Sequence, residues 1–221
     1  ARRCVEAPAL GRIYSCSCSR QTIRRLARKG LAGPVYPGTC RNKAPIGRPC
    51  AQRFRVETTA LEFSDRCHGL LNCNPASEVG DVIVKRRDGL FAYVLACTID
   101  DADSGITEIV RGDDILGFTP AQICLQQALA LPRAQYAHFP VVRDAEGVKL
   151  SKQTGAPPVD DRQPAANLVE VLAICGVEAP AELARSTPAD FWAWLNGEGI
   201  DLLPRIAENR PARPISELVL V

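Results

Sequence analysis

Thr107-Glu-Ile-Val-Arg-Gly-Asp-Asp-Ile-Leu-Gly-Phe-Thr-Pro-Ala-Gln122 changes character twice within 16 residues. Its β-branched start ends at Arg111 and gives way to Gly-Asp-Asp, which is how a buried parallel strand delivers polar residues to its carboxyl edge. A helix then begins. Thr119 is predicted to cap it, Pro120 to be its first residue and Gln122 to complete a capping box, with Ile123, Leu125, Ala128 and Leu129 as the apolar positions. Strand, polar edge and helix in that order predict an α/β fold.

Downstream, Tyr136 to Val142 reads as a second strand. Asp144 to Gly147 reads as a turn, and Val148-Lys-Leu-Ser-Lys152 as a mobile lysine-bearing loop. Two ammonium groups on one short loop can meet a triphosphate and neutralise the charge that develops as pyrophosphate departs. Helices are expected from Asn167 to Ile174 and from Pro188 to Leu195, the second capped by Thr187. Upstream, Phe54, Val56, Leu61 and Phe63 alternate as short strands do. Asp81 to Lys85 reads as another strand, closed by the Asp88-Gly89 turn. Phe91 to Ile99 is apolar almost throughout, and periodicity does not decide between helix and strand.

The first 60 residues differ in charge from the rest. They hold 13 Lys+Arg against 2 Asp+Glu, and residues 61–221 hold 14 against 23, so a net charge of +2 splits into +11 and −9. Clustered cations of this kind suit a polyanion, the alternative being a solvated basic face. Ser19 is expected to cap a helix with Ile23, Leu26 and Ala27 on one face that stops at Gly30. Its other face carries Arg20, Arg24, Arg25, Arg28 and Lys29. Leu31 to Cys50, with four prolines and three glycines, reads as an irregular loop that a bound metal would order.

The chain has 221 residues, is 46% hydrophobic and holds ten cysteines. That is too long and too cysteine-poor for a disulfide scaffold. Cys97, Cys124 and Cys175 lie in apolar runs and read as small hydrophobes, and Cys4, Cys50, Cys67 and Cys73 receive no role. Cys16-Ser-Cys18 with Cys40 is a candidate zinc site, because alternate residues of an extended chain point two thiolates to one side. No apolar run is long enough to span a membrane, and the arginine-rich start is unlike a secretory signal, so a cytoplasmic monomer is expected. A first residue other than methionine, and the absence of methionine throughout, predict a chain that begins inside a longer protein.

Arg87-Asp-Gly-Leu-Phe-Ala-Tyr93, Asp100-Asp101, the Arg111 segment, Tyr136-Ala-His-Phe-Pro140 and Lys149-Leu-Ser-Lys-Gln153 occur in the order and approximate spacing of the glutamate-type class I aminoacyl-tRNA synthetases. The chain resembles that family over most of residues 10–175, and its shortened glutamyl-queuosine branch most closely. The resemblance implies the distal part of a Rossmann-type catalytic domain with an inserted zinc-binding module and a small C-terminal helical region. The corresponding boundaries are 1–60 for the basic zinc-binding module, 61–153 for the catalytic part and 154–221 for the helical region. It also implies ATP binding, with Mg2+, by Lys149, Leu150, Ser151, Lys152 and Gln153, Lys152 being the catalytic lysine. Glutamate would be held by Tyr93 and Arg111.

Within that branch Cys16, Cys18, Tyr36 and Cys40 match a Cys-x-Cys, Tyr-x-x-x-Cys zinc site, with Cys50, Cys67 and His68 as alternative fourth ligands. Seventeen residues separate Cys18 from Tyr36, a longer and more basic insert than the branch implies. His138 reads as a packed histidine. The implied partner is the anticodon arm of tRNA(Asp) carrying queuosine, because only 68 residues follow Gln153, too few for a large anticodon-binding region. An ordinary glutamyl-tRNA synthetase fragment and a non-catalytic zinc and RNA-binding fragment are the competing readings. The family's first signature loop would lie upstream of Ala1, and without it the fragment is expected to be inactive.

Overall fold

The computed structural model describes residues 11–44, 49–144, 146–151, 155–156, 158–198 and 215. The first described elements are β1 (Ile13–Cys16) and a short helix α1 (Arg20–Leu26). Ser19 caps α1 by accepting from the Thr22 backbone N–H at 3.0 Å, as expected, although the helix ends at Ala27 rather than at Gly30. None of its residues is buried, so α1 presents its arginines to solvent.

The segment from Leu31 to Cys50 is less irregular than its prolines suggest. Two short strands, β2 (Lys29–Gly30) and β3 (Gly33–Pro34), form a ribbon. The Leu31 N–H donates to the Glu78 carbonyl at 2.8 Å, and Gly117 lacks a side chain where the Leu31 backbone passes. A Cβ at Gly117 would collide with backbone, which is a close approach only glycine permits.

β4 (Ala51–Phe54) lies between β1 and β7 (Val82–Lys85) in an antiparallel sheet, so the sheet that holds Cys16 takes one strand from beyond residue 60. β5 (Leu61–Asp65) and β6 (Gly69–Cys73) form a hairpin that extends into a second sheet, with β8 (Glu108–Gly112) and β9 (Gln135–Phe139). Its order is β6-β5-β9-β8, with β5, β9 and β8 parallel and β6 antiparallel at the edge. A one-turn helix α2 (Pro75–Glu78), capped by Asn74, joins the two sheets.

The apolar run after Phe91 is a helix, α3 (Tyr93–Asp103), which buries Val94, Leu95, Thr98 and Ile99 at the three- and four-residue spacing of one helical face. Between β8 and β9 the chain makes a 3-10 turn (Asp113–Phe118) and then α4 (Thr119–Ala128). This is the strand-helix-strand crossover expected between parallel neighbours. The expected capping box at Thr119 is absent. The 3-10 turn enters the helix directly, no side chain caps it, and Thr119 is already helical. Its hydroxyl is thereby released for other partners.

Phe54, Val56, Leu71, Leu95, Leu116, Ile123 and Tyr136 are among the side chains of one core that runs between the two sheets and under α3 and α4. Helices α5 (Pro164–Ile174) and α6 (Pro188–Gly197) build a separate small core around Leu172, Val177, Phe191 and Leu195. Thr187 caps α6, as its sequence predicts, and Asp190 returns the bond to complete a reciprocal capping box. No described helix is long and apolar enough to cross a membrane.

Candidate functional site

Two clusters of chemically capable side chains sit on the two sheets. The first begins at the end of β1. Cys16 and Cys18 alternate along extended chain and so face the same way, and the loop after β3 returns to bring Tyr36 and Cys40 against them. The Cys16 thiol donates to the Tyr36 hydroxyl at 3.4 Å, Cys18 Sγ lies 3.6 Å from that hydroxyl, and Cys18 and Cys40 sulfurs are 3.5 Å apart. The Cys40 N–H donates to the same hydroxyl at 2.9 Å.

All three sulfurs lie within 4.8 Å of one another, and among the described residues they are the only such group of possible metal ligands of the Cys, His and acidic types. Donors 2.3 Å from a tetrahedral zinc would stand about 3.8 Å apart, so three sulfurs and a phenol oxygen at these spacings fit the ion. Cys50, Cys67 and His68 do not join the group. The backbone N–H groups of Cys67 and His68 instead bind Asp65 in the other sheet, at 2.9 and 3.1 Å. Burial opposes ionisation of Cys40, but hydrogen bonds from Tyr36, Ser17 and Cys18 outweigh it and lower the thiol to about 6. Burial, reinforced by the cysteines around it, pushes the Tyr36 hydroxyl well up.

The cluster is braced from outside. The Arg53 guanidinium stacks 3.9 Å from the Tyr36 ring centroid, a cation against a group that would carry negative charge with a metal bound. Arg87 donates to the carbonyls of Ser17 and Cys18 at 2.6 and 2.7 Å. Arg41, next to Cys40, makes a bidentate pair with the buried carboxylate of Asp81 at 2.6 and 2.7 Å. Asp81 also accepts from Tyr14 and from the Val56 N–H.

The second cluster occupies the carboxyl edge of the parallel strands. Arg111 near the end of β8, His138 near the end of β9 and Asp65 at the end of β5 converge there, because the β8 to β9 register sets Arg111 against His138. Arg111 donates from Nε to His138 Nε2 at 3.0 Å, and from Nη2 to Thr119 Oγ1 at 2.8 Å and Gln122 Oε1 at 2.6 Å. His138 Nδ1 lies 2.6 Å from Asp65 Oδ2, with both side chains fully buried. His138 is thus packed, as its surroundings predict, but its ring is also wired to the arginine.

Tyr93 opens α3 and is half exposed. Burial of the hydroxyl raises it, a hydrogen bond with Cys97 one turn on adds to this, and the positive charge of Arg111 pulls the other way. Tyr93 thus opens the helix that follows β7, while Arg111 lies near the end of β8. Cys97 is next to Tyr93 rather than a plain core thiol. The i to i+4 spacing alone could have placed it there.

Beyond β9 the expected lysine loop is a hairpin rather than a plain loop. It is closed by Asp144 N–H to the Val148 carbonyl at 2.9 Å and Leu150 N–H to the Val142 carbonyl at 3.0 Å. Asp113 accepts the Val141 N–H at 3.1 Å, and Lys149 Nζ pairs with Asp114 at 2.7 Å, so the Gly-Asp-Asp of the first motif anchors the second. Leu150 and Ser151 follow in the same hairpin arm. Lys152 and Gln153 lie outside the described residues.

The family model for class I tRNA synthetases (E and Q), catalytic domain, matches residues 11–176. A glutamyl-Q tRNA(Asp) synthetase of Thiobacillus denitrificans is 43% identical over 208 residues, covering 92% of this chain and 69% of the relative. Its counterpart in Methylococcus capsulatus is 45% identical over 186 residues, covering 83% and 59%. This chain thus spans roughly two thirds of the length of such relatives. Among solved structures, a glutamate tRNA ligase of Elizabethkingia meningosepticum in complex with its amino acid shares the fold at a TM-score of 0.56 and 20% identity, covering 89% of this chain and 44% of that one. The parallel sheet, its crossover helix and these matches agree: the chain belongs to the class I tRNA synthetases of the E and Q type, as part of their catalytic domain.

Proposed function

We propose that the protein activates glutamate with ATP and transfers it to queuosine in the anticodon arm of tRNA(Asp). The observation that supports this most directly is Arg111, held at the strand edge by three protein acceptors. A guanidinium offers a rigid donor array to a carboxylate, and a tyrosine adds a hydroxyl without adding charge. The glutamyl-Q names of the relatives supply the acceptor in this reading.

The chemistry has two steps. The α-carboxylate of glutamate attacks the α-phosphorus of ATP, an acyl–phosphate bond forms and pyrophosphate leaves. A hydroxyl of queuosine then attacks the acyl carbon, loses its proton and releases AMP. Arg111 and Tyr93 orient glutamate, while Lys149, Leu150, Ser151, Lys152 and Gln153 form the ATP-facing loop. Lys152 neutralises charge on the departing pyrophosphate. Mg2+ accompanying ATP would share that task. Asp114, paired with Lys149, presets the loop.

Zinc, held by Cys16, Cys18, Tyr36 and Cys40, would serve as a structural ion that closes the loop from Cys18 to Cys40. In this reading residues 1–60 are a basic zinc-binding module, residues 61–153 are catalytic and residues 154–221 form a helical appendage, in a cytoplasmic monomer. The solvent-facing arginines of α1 would contact tRNA phosphates.

The test is to incubate the full-length protein with ATP, labelled glutamate and two tRNA(Asp) preparations, one with queuosine and one with guanosine at that position. Label should enter only the queuosine-containing RNA, and should still enter when its 3′-terminal adenosine has been removed. Labelling of intact tRNA(Glu) that fails once the terminal adenosine is removed would establish ordinary 3′-end aminoacylation instead.

A further inference from the structure

We infer that Asp65 and His138 are positioning residues for glutamate: together they fix one imidazole tautomer, and that tautomer fixes which edge of Arg111 is offered to the substrate. The inference rests on the reading of Arg111 as a glutamate ligand and extends it to two buried side chains that touch no substrate.

An arginine has five N–H groups and no acceptor. In Arg111 the Nε–H is directed at His138 Nε2, and Nη2 serves Thr119 and Gln122. The Nε and Nη2 edge, one of the two that can grip a carboxylate in a bidentate way, is therefore turned into the protein. Nη1 is the remaining end, and it is the end left to meet a carboxylate. Thr119 Oγ1 lies 3.1 Å from the same nitrogen and can either give or take a proton, but Arg111 has only donors to give it, so the Arg111 bond requires that His138 Nε2 carry no proton. The imidazole proton must then sit on Nδ1, which faces Asp65 Oδ2 at 2.6 Å.

Asp65 has no freedom in this. Its Oδ1 accepts from the backbone N–H groups of Cys67, His68 and His138 at 2.9, 3.1 and 3.3 Å, leaving Oδ2 for the imidazole. The carboxylate thus holds the tautomer, the tautomer accepts from Arg111, and both side chains are fully buried, where water cannot substitute for either partner.

The same geometry supplies the test. In Asp65→Asn the three backbone donors keep the carbonyl oxygen in the Oδ1 place, so the amide NH2 must face His138 Nδ1. The imidazole then accepts at Nδ1 and carries its proton on Nε2, where Thr119 Oγ1 can take it but the Arg111 Nε–H is left without its acceptor. The chain has only two histidines, so their nitrogen resonances are readily distinguished by 15N NMR. The parent protein should show His138 as the Nδ1–H tautomer, and Asp65→Asn as the Nε2–H tautomer.

In full-length protein, glutamate-dependent ATP–pyrophosphate exchange by Asp65→Asn should show the KM for glutamate raised about 10- to 100-fold, the scale of one charge-assisted hydrogen bond, with the KM for ATP unchanged. Arg111→Lys separates the two readings. If Arg111→Lys abolishes glutamate binding while Asp65→Asn switches the tautomer and leaves the glutamate KM within twofold, positioning is refuted and the glutamate site stands. If Arg111→Lys leaves the glutamate KM unchanged, both fall. A parent protein with His138 as the Nε2–H tautomer, or with both nitrogens protonated, overturns the inference without recourse to any variant.

Discussion

Replacing Asp81 by Asn should unfasten the cysteine loop while leaving the catalytic sheet in place. The Asp81 carboxylate is fully buried and takes four donors: Arg41 Nε and Nη2, the Val56 N–H and the Tyr14 hydroxyl. In Asn, the side-chain oxygen stays with the Val56 N–H and Arg41 Nη2. The amide then meets the Arg41 Nε–H donor to donor, and Tyr14 can respond by rotating its hydroxyl to accept. One charge-assisted bond and the neutralising charge are lost. A buried bond of that kind is worth about 1.5–3 kcal/mol. The lower half of that range applies, because the Arg41 side chain is 37% exposed and water solvates it when the partner is removed. About 2 kcal/mol corresponds to a Tm lowered by roughly 4–8 °C for a chain of this size. Arg41 adjoins Cys40, so the loop carrying one ligand loosens as well. Zinc affinity, read by competition with a chromogenic chelator, should fall about tenfold, as when an outer support of a metal site is removed. Differential scanning calorimetry provides the first number. A Tm within 1 °C of the parent together with unchanged chelator competition would refute the view that Asp81 clasps the loop.

Purified protein should carry about one zinc per chain, falling below about a tenth in a Cys16→Ser, Cys18→Ser double variant by elemental analysis under reducing conditions. Lys152→Ala in the full-length protein should reduce glutamate-dependent ATP–pyrophosphate exchange by about a hundredfold with little change in glutamate affinity, and exchange within threefold of the parent would remove the lysine from catalysis. Burial, with the Glu78 charge adding to it, raises the Cys73 thiol to about 12. At pH 8 it is therefore almost wholly protonated, and its alkylation, followed by peptide mass spectrometry, should run about a thousandfold slower in the folded protein than in the unfolded chain.

What the sequence revealed was local, and what it concealed was distant or competitive. The Ser19 cap, the Thr187 cap and the Cys16 and Cys18 pair depend on residues close together in the chain, which the sequence displays directly. Arg111 at a strand edge was legible because the strand and the polar residues after it are contiguous. Asp65 was not, since its partner His138 lies 73 residues away and only the β5 to β9 pairing brings them together. Thr119 was misread for a different reason. A threonine before Pro-Ala-Gln satisfies every local rule for a cap, but the 3-10 turn ahead of it supplies a continuous backbone path into the helix, and Arg111 takes both the threonine and the glutamine. Helix α3 escaped assignment because its amino-terminal half is apolar on nearly every side, which erases the period that would have declared it.

The two clusters are also continuous through the backbone. β7 is the third strand of the cysteine-bearing sheet, and it leads through a turn at residues 86–90 into α3, whose first residue is Tyr93. That turn is pinned at both ends. Arg86 N–H donates to the Leu90 carbonyl at 2.8 Å, and Ala92 N–H to the Val84 carbonyl at 3.0 Å. Between them Arg87 reaches back to the carbonyls of Ser17 and Cys18. The peptide units that set the direction of the Cys18 thiol are thus held by the residue that also fixes the approach to Tyr93. A metal held by Cys16 and Cys18 would therefore also order the acceptors of Arg87, and with them the turn that leads into α3.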